Sequence, residues 1–477
     1  MKKIKLILLI ITFLISIILY INFVEGYYSI DTAKIVGLGY MEYGTEYSLF
    51  DGRIVMFLIC YIAEVVNIDI KSFYIILLIF SIFISSISVL KMYEIVIEQK
   101  NPKKKWMNVF VFLIAYCYIF HFMYIDNLQF AECIIMSTSI LLYIIAAQKV
   151  ILQDKKNQGF LFCVLGILFY QGTINIFITT AVLFLMIGKN RNDKDIIKKM
   201  LLIAKIAIAT IILDFIMIHI IQNYIDSIQS DRLNTEIIEN ISQIISDLPK
   251  LVLDSLNLFP KFVYATLTMI LLIIIYISCL KNKTAKEFYL AILLIFICYC
   301  SSLLMGMMYP DMIYMLNGRV FTSVGASLSA LMIFAYVRTN IFEDRSLNKI
   351  FLILIIFYFV INIRNTAYIT YLLKQENEID KEFSYQIKAY IEEYEKETNN
   401  IVTKFAIYCI ENKEGTTIEK KVLRSTKQMG LYNASIYEIY IGEKIERTFF
   451  EEDIKKQYFE EKQEKMICIG DVIYIQI

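Results

Sequence analysis

Apolar runs separated by short charged breaks recur from Ile4 to Ile363, and none follows Thr370. Runs of about 18 or more residues, rising about 1.5 Å per residue as helices, match the roughly 30 Å hydrocarbon thickness of a bilayer. The breaks predict helices over 4–24, 71–94, 106–123, 128–150, 158–170, 172–188, 198–222, 258–280, 287–307, 319–337 and 350–369. The expected fold is mainly α, a polytopic membrane protein of about eleven spans, with Arg364 snorkelling near the outer end of the last. The N-terminal MKKIKLILL has the basic start and apolar centre of a secretory signal, but no A-x-A site follows, so it reads as an uncleaved first span.

The distribution of Lys and Arg orients this array. The connections at 98–105 (EQKNPKKK), 149–157, 189–199 (KNRNDKDIIKK), 281–286 and 338–349 are basic, whereas the alternate loops carry few cations. By the positive-inside rule the basic connections are cytoplasmic, as is the N-terminus. The same bias resolves Ile54 to Val66 (IVMFLICYIAEVV), which is apolar but only about 20 Å long as a helix and contains Glu64. A span there would put KNPKKK outside, so it is expected to be an interfacial or re-entrant helix within a long first external loop, 25–70. The prolines Pro102, Pro249, Pro260 and Pro310 all fall in or beside connections, so broken helices of the transporter kind are not expected.

Two domains are expected: a transmembrane part, 1–369, and a soluble extracytoplasmic part, 370–477. In the second, QENEIDKEFSYQIKAYIEEYEKE reads as a polar-faced helix, while TKFAIYCI and MICIGDVIYIQI read as strands, giving a small α+β domain.

Composition narrows the function. Hydrophobic residues make up 58% of the chain and the net charge is +1, so nothing suggests a nucleic-acid partner. Of nine cysteines, none forms a CxxC pair, and two (Cys409 and Cys468) fall in the C-terminal part, as a disulfide or as free thiols. With two histidines, no P-loop, no GxGxxG and no nucleophile elbow, a zinc enzyme, an ATPase, a nicotinamide enzyme and an α/β-hydrolase are disfavoured. No cofactor or metal is signalled.

Chemistry on a membrane substrate needs ionisable groups gathered at one interface. The first external loop supplies Asp31, Glu42, Glu46 and Asp51 together with Lys34 and Arg53. A carboxylate there could take a proton from an acceptor hydroxyl, and a guanidinium could hold a phosphate by paired hydrogen bonds. Asp31 could instead simply cap a helix starting at Thr32. The turn YIDNLQFAE adds Asp126 at its mouth and Glu132 about one helical turn into the next span, where a carboxylate is costly unless used or paired. Asp311 and Arg319 bracket a later connection, YPDMIYMLNGRV, and Tyr170 and Gln171 sit at the tight YQGT turn. Within 198–222, Asp214 lies near mid-membrane and is expected to make a structural hydrogen bond to a neighbouring helix.

In their order along 1–369, a first span followed by YYSIDTAKI, an apolar helix introduced by DGR, FYQG at a turn and NGRV opening a late span, these features resemble the GT-C class of membrane glycosyltransferases. More narrowly, they are similar to the type II O-antigen glucosyltransferase (Gtr-type) family. The resemblance implies an enzyme that moves a sugar, glucose in that family, from a polyprenyl-phosphate-linked donor to a cell-envelope glycan on the outer face. It implies Asp31 as base, Asp126 as a second acidic contact, and Arg53 and Arg319 at the lipid phosphate. Lys34, Glu132, Tyr170, Gln171 and Asp311 would line the substrate site. The family often carries two adjacent acids in the first loop, whereas here Thr32 follows Asp31, so a metal bridged by an acidic pair is not implied. The alternatives are a polysaccharide polymerase or ligase, which usually places its large loop late, and a lipid-glycan transporter, which would line a central cavity with charge.

Overall fold

The computed structural model describes residues 2–100, 102, 106–189, 195–224, 239, 242–247, 250, 262–303, 318–339, 341–342, 344–408, 433–460, 462 and 465–476. Asp311, Cys409, Pro249, Pro260 and Pro310 lie outside them.

The chain is a mainly helical membrane protein. Its apolar helices are α1 (Lys2–Leu19), α3 (Ile54–Val66), α4 (Ile70–Gln99), α5 (Met107–Ile119), α6 (Cys133–Ala147), α7 (Lys156–Phe169), α8 (Ile174–Ile187), α9 (Ile196–Tyr224), α10 (Val263–Lys281), α11 (Ala285–Leu303), α12 (Thr322–Arg338) and α13 (Arg345–Thr398), with the short α2 (Ile30–Leu38) between α1 and α3. Among the described residues, six helices are long and apolar enough to cross a membrane, and a bent pair would make a seventh.

Burial sorts these helices into layers. Side chains of α8 are buried almost throughout, as are those of α12, so these two form the centre. Small residues of α12 admit its neighbours closely: Gly325 lies against the His121 ring and Ser327 hydrogen-bonds the Tyr264 hydroxyl of α10. The outer helices α1, α9, α10, α11 and α13 present large apolar side chains outward, for example Ile197 at 73% exposure and Ile353 at 64%, the surface a hydrocarbon solvent requires. In α4, Ser81, Ser85 and Ser86 are buried and donate back to the carbonyls of Leu77, Ser81 and Ile82 at 2.6–2.7 Å, which satisfies hydroxyls that have no water to meet.

One expectation fails here. The helix over 106–123 is broken without a proline: α5 stops at Ile119, and Phe122–Leu128 continues at 42° to it. Phe120 leaves helical geometry, and its freed carbonyl accepts a 2.5 Å hydrogen bond from Asn362 Nδ2 of α13. A break inside a membrane is tolerated when a neighbour satisfies the released backbone. The following segment, through Glu132, is buried throughout rather than forming an exposed turn.

The two ends of the bundle differ in charge. At one end Lys5 pairs with Glu94 at 2.7 Å, the Lys100 ammonium donates to the Tyr336 carbonyl at 2.8 Å, Lys281 pairs with Asp344, and Arg338 meets Glu287 at 3.4 Å. The opposite end collects the first loop, the broken segment, the Gln171–Thr173 turn and the start of α12.

The position 369/370 falls inside α13, one continuous helix of 54 residues capped by Asp344, whose carboxylate accepts from the Ser346 and Leu347 amides at 2.9 and 3.0 Å. Its apolar face continues past the hydrophobic run: Phe383, Ile387 and Ile391, spaced one turn apart, pack on Val402, Phe405, Ile436 and Ile473. Val402 precedes β1 (Lys404–Tyr408), which carries Phe405; Ile436 is in α14 (Ala434–Ile441) and Ile473 in β4 (Val472–Gln476), and with β2 (Glu446–Arg447) and β3 (Met466–Ile469) the sheet order is β2-β1-β4-β3. β1 runs parallel to β2 and β4, and β3–β4 is an antiparallel hairpin turned at Gly470, φ +61°. Cys468 is buried in β3, and that burial pushes its thiol pKa up to about 12.

The broken segment makes a testable demand on α12. A Cβ at Gly325 would overlap the buried His121 ring, so Gly325→Ala should destabilise the protein by about 1–3 kcal/mol. In heated detergent extracts analysed by size exclusion, the His121→Ala/Gly325→Ala double variant should lose less than the two single losses combined.

Candidate active site

The first loop is folded by local signals that aim its charges inward. Ser29, not Asp31, caps α2: its hydroxyl accepts from the Thr32 amide at 3.2 Å. The helix therefore starts at Ile30, and Asp31 lies in its first turn, where a negative charge is favoured by the backbone dipoles. The capping role that competed for Asp31 is already filled. Its carboxylate meets Lys34 at 3.5 Å and Arg319 at 4.0 Å.

Further along, the DGR motif makes a tight turn. Gly52 has φ +78°, and a Cβ there would stand 2.7 Å from Ile218 of α9, so both conformation and space call for glycine. The Asp51 carbonyl accepts from the Gln171 side chain, and Arg53, preceding α3, points into the protein. Its guanidinium donates to both carboxylate oxygens of Glu132, at 2.9 and 2.7 Å, and lies 3.4 Å from Asp51. Glu132 is 1% exposed, sits at the N-terminal end of α6 rather than a turn inside it, and also accepts from the Tyr43 hydroxyl at 3.3 Å. Burial pulls the Arg53 pKa down, but Glu132 and Asp51 pull it up harder, and the guanidinium stays charged.

The second arginine reaches the same region from late in the chain. Gly318 allows it: a Cβ there would come within 2.8 Å of the Met123 carbonyl and 2.9 Å of the Asp126 side chain. The Arg319 amide donates to Asp126 Oδ2 at 3.1 Å, its guanidinium lies 3.8 Å from the same carboxylate, and it stacks 4.0 Å over the Phe130 ring. Asn175 of α8 fixes the next turn, donating to the Val320 carbonyl and accepting from Thr322 at 2.9 Å. Tyr170 joins the two groups. Its ring packs 5.1 Å from the Arg53 guanidinium and lies within electrostatic reach of both arginines, Glu132 and Asp126.

Thus Asp31, Lys34, Arg53, Asp126, Glu132, Tyr170, Gln171 and Arg319 gather at one end of the bundle; Asp311 lies outside the described residues. Sequence reasoning passed over several uncharged members. Gln129 donates to Asp126 and accepts from the Tyr27 hydroxyl at 3.4 Å, Tyr43 donates to Glu132, and Asn175 holds the turn that follows Arg319. Gln129 stands three residues after Asp126 on one short helical stretch, the only signal that could have flagged it. Asp214 is buried in α9 under this region, and its Oδ1 has no hydrogen-bond partner among the described residues. No three His, Cys, Asp or Glu side chains converge as metal ligands among the described residues.

No family model, no curated protein and no solved structure matches the chain.

The arrangement separates a tightly bonded pair from a carboxylate at longer contact distances, and stability measurements can tell them apart. Removing Glu132 strands a buried guanidinium, so Glu132→Leu should cost roughly 3–5 kcal/mol in detergent unfolding, with Arg53→Met/Glu132→Leu recovering much of it. Asp31→Asn, at longer contact distances, should cost less than about 1 kcal/mol.

Proposed function

We propose that the chain is a GT-C-like membrane glycosyltransferase that transfers a sugar from a polyprenyl-phosphate-linked donor to a cell-envelope glycan on the extracytoplasmic face. The observation that carries this reading is the meeting of Arg319 with Asp31 and Asp126, the latter 193 positions away, at the bundle end opposite the lysine-rich connections.

In this reading Asp31 takes the proton of the acceptor hydroxyl as its oxygen attacks the anomeric carbon. The bond from that carbon to the phosphate oxygen breaks, and the lipid phosphate leaves against Arg319. Arg53, held on both oxygens of Glu132, fixes the wall of the site and is less suited to following a leaving group. Around the two arginines and Lys34 stand four carboxylates, Asp31, Asp51, Asp126 and Glu132. Gathering these groups before the substrate arrives is how a site lowers the entropy of reaction.

The membrane arrangement belongs to the same proposal. In this reading the chain crosses the membrane eleven times, the short α7, α8 and α12 included, with α8 and α12 enclosed by protein. With the basic end cytoplasmic by the positive-inside rule, the site and the C-terminal α+β part lie outside, and α3 rests in the interface with Leu58, Ile62 and Val65 toward lipid.

Envelope glycan from cells lacking the gene should miss one sugar branch. With polyprenyl-phosphate glucose and native membranes, Asp31→Asn should reduce transfer by about 10² to 10⁴ while inserting normally, and wild-type transfer would remove Asp31 from the mechanism. For topology, Phe449→Cys, at a residue 94% exposed, should react with a membrane-impermeant thiol reagent in intact cells. Labelling only after lysis would reverse the orientation.

A further inference from the structure

The helix that carries Asp31 is gripped by a part of the chain more than 340 positions away. Tyr28, three residues before Asp31, has both backbone groups bound by one side chain: its N–H donates to Asn377 Oδ1 at 2.7 Å, and its carbonyl accepts from Asn377 Nδ2 at 3.0 Å. Asn377 is on α13, just beyond its hydrophobic run, and is 8% exposed. A carboxamide has one acceptor and one donor arm side by side, so it can bind a backbone N–H and C=O together. One turn earlier Lys374 pairs with Glu25, and the same stretch of α13 is thus fastened to the loop twice.

The other side of α2 is held as well. Ala33 is buried in the C-terminal core with Phe383 and Ile387, and Gly37, one turn on, lies against Ser435 of α14 so closely that a Cβ would overlap its hydroxyl. Ile35 instead belongs to the core of the bundle. The short helix is therefore a partition: one face is built into the C-terminal domain, and another presents Asp31 to Arg319.

We infer that α13 and the C-terminal domain form a clamp that sets the position of α2 at the site, with Asn377 as its positioning residue. Asn377 touches no reacting atom. Its effect runs through the Tyr28 backbone, and the clamp stands on geometry that holds whatever the site transfers. Its consequence for sugar transfer rests on the function proposed above.

The test uses the full chain in lipid nanodiscs. Asn377→Ala should speed amide exchange over residues 28–38 roughly tenfold, with α8 unchanged, because two hydrogen bonds restraining local opening are lost. A second restraint should reverse this. A Cβ at Gly37 would lie 3.3 Å from that of Ser435, close to the roughly 3.5–4.5 Å of a disulfide, so Gly37→Cys/Ser435→Cys should cross-link under oxidant. In the Asn377→Ala background the oxidised cross-link should return exchange toward the wild-type rate, and reduction should release it again. Transfer from polyprenyl-phosphate glucose in native membranes should fall and recover in step. Unchanged exchange at 28–38, acceleration that extends to α8, or a cysteine pair that does not cross-link would each overturn the clamp. If exchange behaves as expected while neither wild type nor variant transfers the sugar, the clamp stands and the function proposed above fails.

Discussion

A guanidinium and a carboxylate that both leave water must meet in hydrogen-bonding geometry or neither can stay, and the Arg53–Glu132 pair imposes that condition on one whole end of the bundle. Arg53 lies at the start of α3 and Glu132 at the start of α6, 79 positions on, so the contact fixes two helix entries against each other. The turn before Arg53 is in turn bound by Gln171 from the α7–α8 break and pressed on Ile218 of α9. Tyr43 and Tyr170 complete the enclosure. Four remote parts of the sequence thus depend on one ion pair, and the groups available for chemistry are those standing beside it.

The parts of this fold that the sequence displays are those set by the solvent. A bilayer demands long apolar runs, so most helices from α4 to α12 could be read with ends a few residues off, whereas α13 runs on to Thr398 instead of stopping at 369, and the clustered lysines marked one end of the bundle. What stayed hidden was decided by tertiary partners. Nothing local announces the break after Ile119, because the group that satisfies it, Asn362, lies 242 positions away. The sequence suggested Asp31 as a cap, whereas the actual one is Ser29, and either residue type can bond an N-terminal amide. The motifs DGR and NGRV were visible as spelling. Their reason, a positive φ at Gly52 and the close approach of Gly318 to Asp126, requires neighbours from elsewhere in the chain. Gln129, Tyr43 and Asn175 were missed because, uncharged, they stand out only when seen next to the groups they hold.

Continuity of α13 ties the two parts of the molecule mechanically. Its 54 residues extend about 80 Å at about 1.5 Å per residue. The apolar surface of its first half packs on the bundle, and Phe383, Ile387 and Ile391 of its second half carry the C-terminal core. A helix is stiff over this distance, so the sheet domain cannot drift independently of the bundle without bending it or frayed hydrogen bonds. Asn377 lies where the two surfaces meet, which is also where α2 crosses.

The two arginines show how one cluster can be both rigid and responsive. Both are almost wholly enclosed, and both face two carboxylates, but the distances differ: Arg53 holds Glu132 at 2.7 and 2.9 Å, while Arg319 lies 3.8 and 4.0 Å from Asp126 and Asp31. A charge-assisted bond at the shorter separation is strong and directional, and at the longer one the attraction remains but the directional part is lost. An anion at Arg53 would have to displace Glu132 from two short hydrogen bonds, whereas at Arg319 the carboxylates of Asp126 and Asp31 stand at longer range.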